Sequence, residues 1–147
     1  MITRCSSGAI IFRKENNNIY YLLLEYPSNK KSKKGYWGFA KGTMEKGEKE
    51  IDTAKREIEE ETGINDLKFI KGFKEVISYF FKDKNETIFK TVSYFLAKTE
   101  TKDVVLSNEH IGFLWLPFEK AFKKLTFDNT KKILEKAHKF LINKNFF

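Results

Sequence analysis

Cysteine, arginine and long apolar runs are scarce in this sequence. The only cysteine, Cys5, excludes an internal disulfide and a cysteine-based metal site, and we expect it to be a small packing residue near the first strand. No apolar run approaches the roughly 18 residues of a membrane-spanning helix, and the N-terminal residues lack the order of a secretory signal. We therefore expect a cytoplasmic protein with no membrane partner.

Positive charge comes almost entirely from lysine. The formal net charge is +8, with 28 Lys+Arg, yet the only arginines are Arg4, Arg13 and Arg56. Nucleic-acid contacts favour arginine, so a lysine excess indicates a general attraction for polyanions more than a DNA or RNA partner. Four lysines lie in residues 27–35, which read as a solvated loop; alternatively, they attract substrate phosphates.

Length and pattern together predict one domain over residues 1–147. The predicted strands are 8–14, 19–26, 37–40, 67–82, 86–98 and 111–116, and the predicted helices are 49–62, one opening after Pro117, and one with an apolar stripe over 133–141. This order predicts an α+β domain with a mixed β-sheet and helices packed on it. We expect His138 to lie on the polar face of the last helix.

Acidic residues are concentrated on the first predicted helix. Glu57, Glu60 and Glu61 are spaced i, i+3 and i+4, which brings their carboxylates to one helix face. A neighbouring apolar stripe is suited to the core: Ile51, Ala54 and Ile58. Like charges at this spacing cost a few tenths of a kcal/mol per pair, so the cluster is a poor choice for stability alone. A divalent cation with oxygen ligands, Mg²⁺ or Mn²⁺, would remove the repulsion.

Two further residues belong to the same cluster. Glu48 precedes the helix and adds a carboxylate, and Arg56 is placed to hold acidic side chains by a bidentate pair. The alternative is an ordinary exposed acidic helix with salt bridges from Lys49 and Lys55. The residue types and spacing leave both interpretations open.

Residues 42–64 match the Nudix box, G-x5-E-x7-R-E-U-x-E-E-x-G-U, in which U is a bulky aliphatic residue. The match begins at Gly42, includes Glu48, and ends in REIEEETGI, residues 56–64. The sequence therefore resembles Nudix hydrolases. The resemblance implies an α/β/α sandwich with a loop-helix-loop motif and a C-terminal helix. It also implies Mg²⁺-dependent cleavage of a diphosphate linkage in a nucleoside diphosphate joined to another group.

The resemblance also assigns roles within the box. It implies metal binding by Glu57, Glu60, Glu61 and the carbonyl of Gly42, with support from Glu48 and Arg56. Clustered cations neutralise charge on the phosphate oxygens and activate a bound water. Which glutamate is the general base stays open.

Substrate choice must come from outside the box. Residues 35–42, 90–97 and 106–116 are similar to those of asymmetrical diadenosine tetraphosphate hydrolases, which release ATP and AMP. That resemblance implies an adenine sandwiched by Tyr94 and Phe127, phosphates near Lys41 and Lys90, and an extra carboxylate, Glu109, near the metals. Simple core packing of the two rings and a surface role for Glu109 are the alternatives.

Two positions depart from the subfamily pattern, in which Ala40 is usually proline and Thr43 is often histidine. We expect the first to loosen the loop entering the box and the second to remove a phosphate contact. A Nudix hydrolase of RNA 5′-triphosphate ends or nucleoside triphosphates is the alternative function. A non-catalytic nucleotide-binding module is disfavoured because all four box glutamates are present. We expect a monomer.

Overall fold

A computed structural model describes residues 2–28 and 35–146 of the chain. Its strands are β1 (Ile2–Glu15), β2 (Asn18–Tyr26), β3 (Tyr36–Gly38), β4 (Ala40–Thr43), β5 (Lys68–Phe69), β6 (Glu75–Asp83), β7 (Glu86–Lys98) and β8 (Gly112–Leu116). Its helices are α1 (Glu50–Thr62), α2 (Phe118–Lys124) and α3 (Asp128–Asn143). The four lysines of the predicted solvated loop, for which attraction of phosphates was the alternative, lie outside the described residues. None of the described helices is long and apolar enough to cross a membrane.

The strands form one mixed sheet centred on β1 and β7. These two strands are parallel, in register from Ile2↔Ile88 to Phe12↔Lys98. On its other edge β1 pairs antiparallel with β2 and, nearer its start, with β4. Beyond β7 lie β5 and β6, and beyond β2 lie β3 and β8. The predicted mixed sheet is confirmed.

Helices cover both faces of the sheet. Successive residues of β1 point to opposite faces, and residues 6–13 are all buried, so each face must be covered. Ile10 and Phe12 point to the face covered by α2 and α3, where four residues of α3 are buried in the same cluster: Ile133, Leu134, Ala137 and Leu141. Ala9 and Ile11 point to the opposite face and pack with residues of α1 that include Ala54 and Ile58. The α/β/α sandwich is therefore confirmed.

Local turn chemistry explains the two predicted hairpins. Asn16 and Asn17 connect β1 to β2, and Lys84 and Asn85 connect β6 to β7, all with positive φ between 51° and 66°. Two-residue loops with both residues left-handed match the twist of antiparallel strands. The predicted end of α1 is also confirmed, because Gly63 adopts a left-handed conformation (φ 76°) and its N–H bonds the Glu59 carbonyl.

Several sequence expectations were wrong. Residues 67–82 do not form one strand: a turn with Gly72 at φ 97° separates β5 from β6 and lets Phe73 enter the core. Cys5 lies on β1 but is exposed, because the buried part of that strand begins only at Ser6. His138 is half-buried rather than on a polar face, since its Nδ1 is 2.8 Å from the Tyr21 hydroxyl and its ring stacks on Phe118.

Candidate active site

Helix α1 presents its carboxylates at one edge of the sheet. Ala54 and Ile58 are fully buried and fix the rotation of the helix against the core. That rotation leaves Glu60 exposed, Glu57 half-buried and Glu61 only 2% exposed. Burial of the carboxylates thus increases in the order Glu60, Glu57, Glu61. All three lie on the helix face that the i, i+3, i+4 spacing predicted.

Arg56 connects the carboxylates of the loop and the helix. Its Nε and Nη2 donate to the two carboxylate oxygens of Glu48 at 2.8 and 3.0 Å, so the predicted bidentate pair is confirmed. Its Nη1 donates to Glu57 Oε1 at 2.8 Å. Hydrogen bonds from Arg56, followed by one from the Thr53 hydroxyl, lower the pKa of Glu48 to about 2. Glu48 is therefore a fixed anion that holds the guanidinium in place.

Gly42 allows β4 to pass directly beside Glu57. A Cβ built on residue 42 would lie 1.9 Å from the Glu57 Cδ and 2.1 Å from its Oε2. Any larger residue would push the Glu57 carboxylate out of this position. The structure thus gives the box glycine a steric reason, while metal binding by its carbonyl stays a prediction.

Glu61 has the least compensated charge in the cluster. Its Oε2 is buried and has no hydrogen-bond partner. Burial, followed by the nearby charges of Glu57 and Glu109, raises the pKa of the Glu61 carboxyl to about 8, although a hydrogen bond from the Lys41 backbone N–H opposes this. A buried carboxylate oxygen without a partner, among like charges, suits a cation bound through oxygen ligands.

The carboxylates of the cluster are not arranged around a common metal position in this structure. In residues 2–28 and 35–146, no three acidic, histidine or cysteine side chains are arranged to hold a metal ion. Glu60 and Glu109 are both exposed, and binding of an ion would have to draw them towards Glu57 and Glu61. Glu109 is close enough that its charge raises the pKa values of both Glu57 and Glu61. Glu109 therefore lies near the cluster, while its place beside bound metals stays a prediction.

A cavity of about 590 Å³ is lined in part by Lys41, whose backbone bonds Glu61. This size is typical of small-ligand sites. All four predicted substrate residues line it, namely Lys41, Lys90, Tyr94 and Phe127. Sequence reasoning missed Tyr26, Tyr36 and Tyr79, which also line it. Two features of the sequence could have indicated them. Tyr36 lies in a segment that resembles the subfamily, and Tyr79 alternates with Ile77 and Phe81 on the inner face of β6.

The two lysines concentrate positive charge in this cavity. Burial, followed by the charge of Lys90, lowers the pKa of Lys41 to about 8. Burial, followed by the charge of Arg4, also lowers the pKa of Lys90. Two half-buried lysine side chains that line the same cavity, with the pKa of each lowered, are suited to binding an anion. Lys41 also joins the two parts of the site, because its backbone bonds Glu61 and its side chain lines the cavity.

The aromatic rings of the cavity differ in exposure. Tyr94 is 1% exposed and packs edge-on against Phe39. Phe127 is 49% exposed, and its ring centroid lies 5.3 Å from that of Tyr36. The exposed ring surface at the mouth therefore comes from Phe127 and Tyr36, whereas Tyr94 is part of the cavity wall and the core.

The two departures from the subfamily pattern have simple structural outcomes. Ala40 is buried in β4, in register with Ala9, so the expected loosening of the chain entering the box is wrong. Thr43 is exposed, and its carbonyl accepts a 3.0 Å hydrogen bond from Arg56 Nη2. That contact uses the backbone and does not depend on the side chain.

This fold and this acidic helix define a known class. The family described as "NUDIX domain" matches residues 3–137, and the chain belongs to this family. Members that are hydrolases generally use divalent metal ions. Among its relatives, the chain is 35% identical to "Bis(5′-nucleosyl)-tetraphosphatase [asymmetrical]" of Sus scrofa over 144 residues, covering 91% of this chain and 92% of the relative. The Caenorhabditis elegans protein of the same name is 33% identical, with 92% and 95% covered.

A solved structure to which the chain is similar comes from the same group of proteins as the sequence relatives. The C. elegans Ap4A hydrolase in a binary complex superposes with a TM-score of 0.81 at 31% identity, covering 95% of this chain and 98% of that one. The similarity therefore extends over nearly the whole chain, including the strands that line the cavity.

Proposed function

We propose that this chain is a metal-dependent hydrolase that cleaves diadenosine tetraphosphate into ATP and AMP. The observation that carries the proposal is the position of Lys41, which bonds the buried Glu61 through its backbone and enters the aromatic cavity with its side chain. One residue thus places a phosphate-binding cation between a carboxylate cluster and a pocket suited to a base. The similarity to bis(5′-nucleosyl)-tetraphosphatases supports the same class of substrate.

Metal binding is proposed for Glu57, Glu60, Glu61 and the Gly42 carbonyl, with Mg²⁺ as the metal and Mn²⁺ as its substitute. Bound cations would supply a water of lowered pKa and neutralise charge on the phosphate oxygens. Glu48 and Arg56 hold Glu57 in place through the bonds described above. Glu109 is proposed as an additional carboxylate of the cluster.

Substrate binding is proposed for the cavity. Lys41 and Lys90 would bind the phosphate chain, and a base would stack on Phe127 at the mouth. A sandwich between Tyr94 and Phe127 stays a prediction; the exposure of the rings favours Phe127 with Tyr36, and Tyr94 as the wall behind the base.

The test is product analysis with diadenosine tetraphosphate, nucleoside triphosphates and RNA bearing a 5′-triphosphate. We expect ATP and AMP from the dinucleotide, no turnover in chelator, and restored turnover with Mg²⁺. Faster cleavage of the triphosphates or RNA would favour the alternative Nudix substrates. Binding without turnover of any substrate would indicate a nucleotide-binding module.

The proposal includes a monomer that acts in the cytoplasm on a small-molecule substrate. An exposed, free Cys5 fits a reducing compartment. Light scattering of the purified protein would test the monomer, and a dimer mass would contradict it.

A further inference from the structure

His110 lies buried between the carboxylate cluster and the aromatic cavity. Its side chain is fully buried, and its Nε2 is 3.8 Å from Glu61 Oε2. Neither nitrogen of His110 has a hydrogen-bond partner, and neither does Glu61 Oε2. Three unpartnered buried polar atoms in two adjacent side chains are unusual in a folded protein and call for an explanation.

The separation of the two groups suggests the explanation. A hydrogen bond between nitrogen and oxygen is about 2.9 Å long, so a closure of about 1 Å would join Nε2 to Oε2. A neutral imidazole has one N–H and one acceptor nitrogen, so that single bond would satisfy the donor and the carboxylate oxygen together. Because each carboxylate oxygen has two lone pairs, the bond leaves Glu61 able to bind a cation.

Aromatic contacts hold the imidazole in this orientation. The ring of Tyr26 packs edge-on against His110, with centroids 4.5 Å apart and an interplanar angle of 71°. Tyr26 is itself fixed, because its hydroxyl donates to the Phe39 carbonyl at 2.5 Å and its ring stacks on Tyr36 at 4.7 Å. His110 therefore packs against an aromatic ring that is itself held in place.

The neighbouring charges favour the same arrangement. Glu61 lies 3.8 Å from the ring and Glu109 precedes His110 in the chain, so the groups nearest the imidazole are acidic and accept hydrogen bonds. An imidazole N–H that donates to a metal-ligating carboxylate fixes the orientation of that ligand.

We propose that His110 is a positioning residue whose Nε2–H donates to Glu61 Oε2 and holds this carboxylate in the orientation that binds the divalent cation. The inference rests on the proposed function for its link to catalysis. Outer hydrogen-bond partners of metal ligands typically contribute 10- to 100-fold in metal affinity or activity.

The first test compares three variants. His110→Leu removes the donor, and His110→Gln keeps an N–H donor near the position of Nε2. His138→Leu is the matched control, because His138 is the only other histidine and bonds Tyr21 instead. Mn²⁺ affinity is measured by electron paramagnetic resonance, kcat and KM are measured with diadenosine tetraphosphate, and circular dichroism checks folding.

We expect His110→Leu to weaken Mn²⁺ binding and lower kcat by about 10- to 100-fold, with KM changed less than about threefold. His110→Gln should stay within about threefold of wild type in all three quantities, as should His138→Leu. Unchanged Mn²⁺ affinity in a folded His110→Leu protein would overturn the proposal. An equal loss in His110→Gln and His110→Leu would also overturn it, by indicating packing alone.

The second test uses the wild-type protein and does not depend on any variant folding. Nitrogen-15 NMR of the Mg²⁺-bound protein should show His110 as the Nε2–H tautomer, with resonances that differ from those of the metal-free protein while those of His138 do not. An Nδ1–H tautomer in the Mg²⁺-bound protein, or no response to Mg²⁺, would contradict the inference. If the protein binds Mn²⁺ but cleaves no dinucleotide, the proposed function fails while these two readouts still decide the role of His110.

Discussion

Gly42 and Glu57 approach so closely that a Cβ on residue 42 would overlap the Glu57 carboxylate, 1.9 Å from its Cδ. The Glu57 side chain of α1 therefore occupies the space that a side chain at position 42 of β4 would need. Arg56 holds Glu57 in this position by a 2.8 Å hydrogen bond. Backbone and guanidinium together determine where the carboxylate can lie.

Gly42→Ala should displace Glu57 without unfolding the protein, because the clash is with the end of a flexible side chain. We expect kcat to fall on the order of a hundredfold, the size of a lost catalytic electrostatic interaction. Kinetics and circular dichroism measure the two effects. Thr43→Ala, the exposed neighbour, is the control, and equal activity of both variants would contradict the steric argument.

Glu60→Gln and Glu61→Gln keep the shape of the side chain but remove its charge. Each should reduce turnover on the order of a hundredfold or more, with circular dichroism unchanged. Glu59→Gln, on the exposed side of the same helix, should keep wild-type turnover. A loss below about fivefold in both variants would show that the metal ligands have been assigned wrongly.

The stability of the metal-free protein should fall as the pH rises from about 4.5 to about 8. Burial and neighbouring charges raise the pKa of Glu61 from an ordinary 4.5 to about 8. Within this window the native carboxyl keeps a proton that the unfolded chain has released, so the free energy of unfolding decreases with pH. Thermal melts at pH 5 and pH 8 measure the change.

Glu61→Gln is the control for that pH effect, since its amide does not titrate. We expect a smaller loss of stability between pH 5 and pH 8 in this variant, and recovery of the wild type at pH 8 when Mg²⁺ is added. The same pH dependence in both proteins would assign the effect to other groups.

Phe127→Ala should raise KM about tenfold with little change in kcat, because stacking contributes about 1 to 3 kcal/mol per base in ground and transition states alike. Phe80→Ala removes another exposed ring that does not line the cavity, and KM should stay unchanged. An unchanged KM in Phe127→Ala would show that this ring does not bind the base.

Tyr94→Ala should destabilise the fold by about 3 to 5 kcal/mol, as for other buried aromatic rings.

Hydrolysis in ¹⁸O-labelled water identifies the phosphorus that is attacked. If the cavity holds one adenosine and Lys41 and Lys90 lead the phosphates towards Glu61, the water oxygen bonds to the fourth phosphorus from that nucleoside. The bridging bond breaks, and ATP leaves with the bridging oxygen. Mass spectrometry should therefore find the label in AMP. Label in ATP, or two molecules of ADP, would mean that the substrate binds in another register.

The local parts of this protein follow from short-range patterns in the sequence. The length and end of α1, both two-residue hairpins and the pairing of Arg56 with Glu48 follow from residues close together in the chain. Helical spacing and turn conformation depend on residues only a few positions apart. These local structures could therefore be predicted from the sequence without knowledge of the fold. Tertiary packing overrode local preference at residues 67–82, where the chain turns at Gly72 so that Phe73 enters the core.

The burial of the site residues and the residues that surround them depend on tertiary packing. The spacing of Glu57, Glu60 and Glu61 does not reveal that Glu61 alone is buried, or that His110 lies 3.8 Å from it. The cavity joins residues from β2, β3, β4, β6, β7 and α3, with Phe127 just before α3. Burial and electrostatic coupling depend on which distant segments pack together, and no local pattern records that choice.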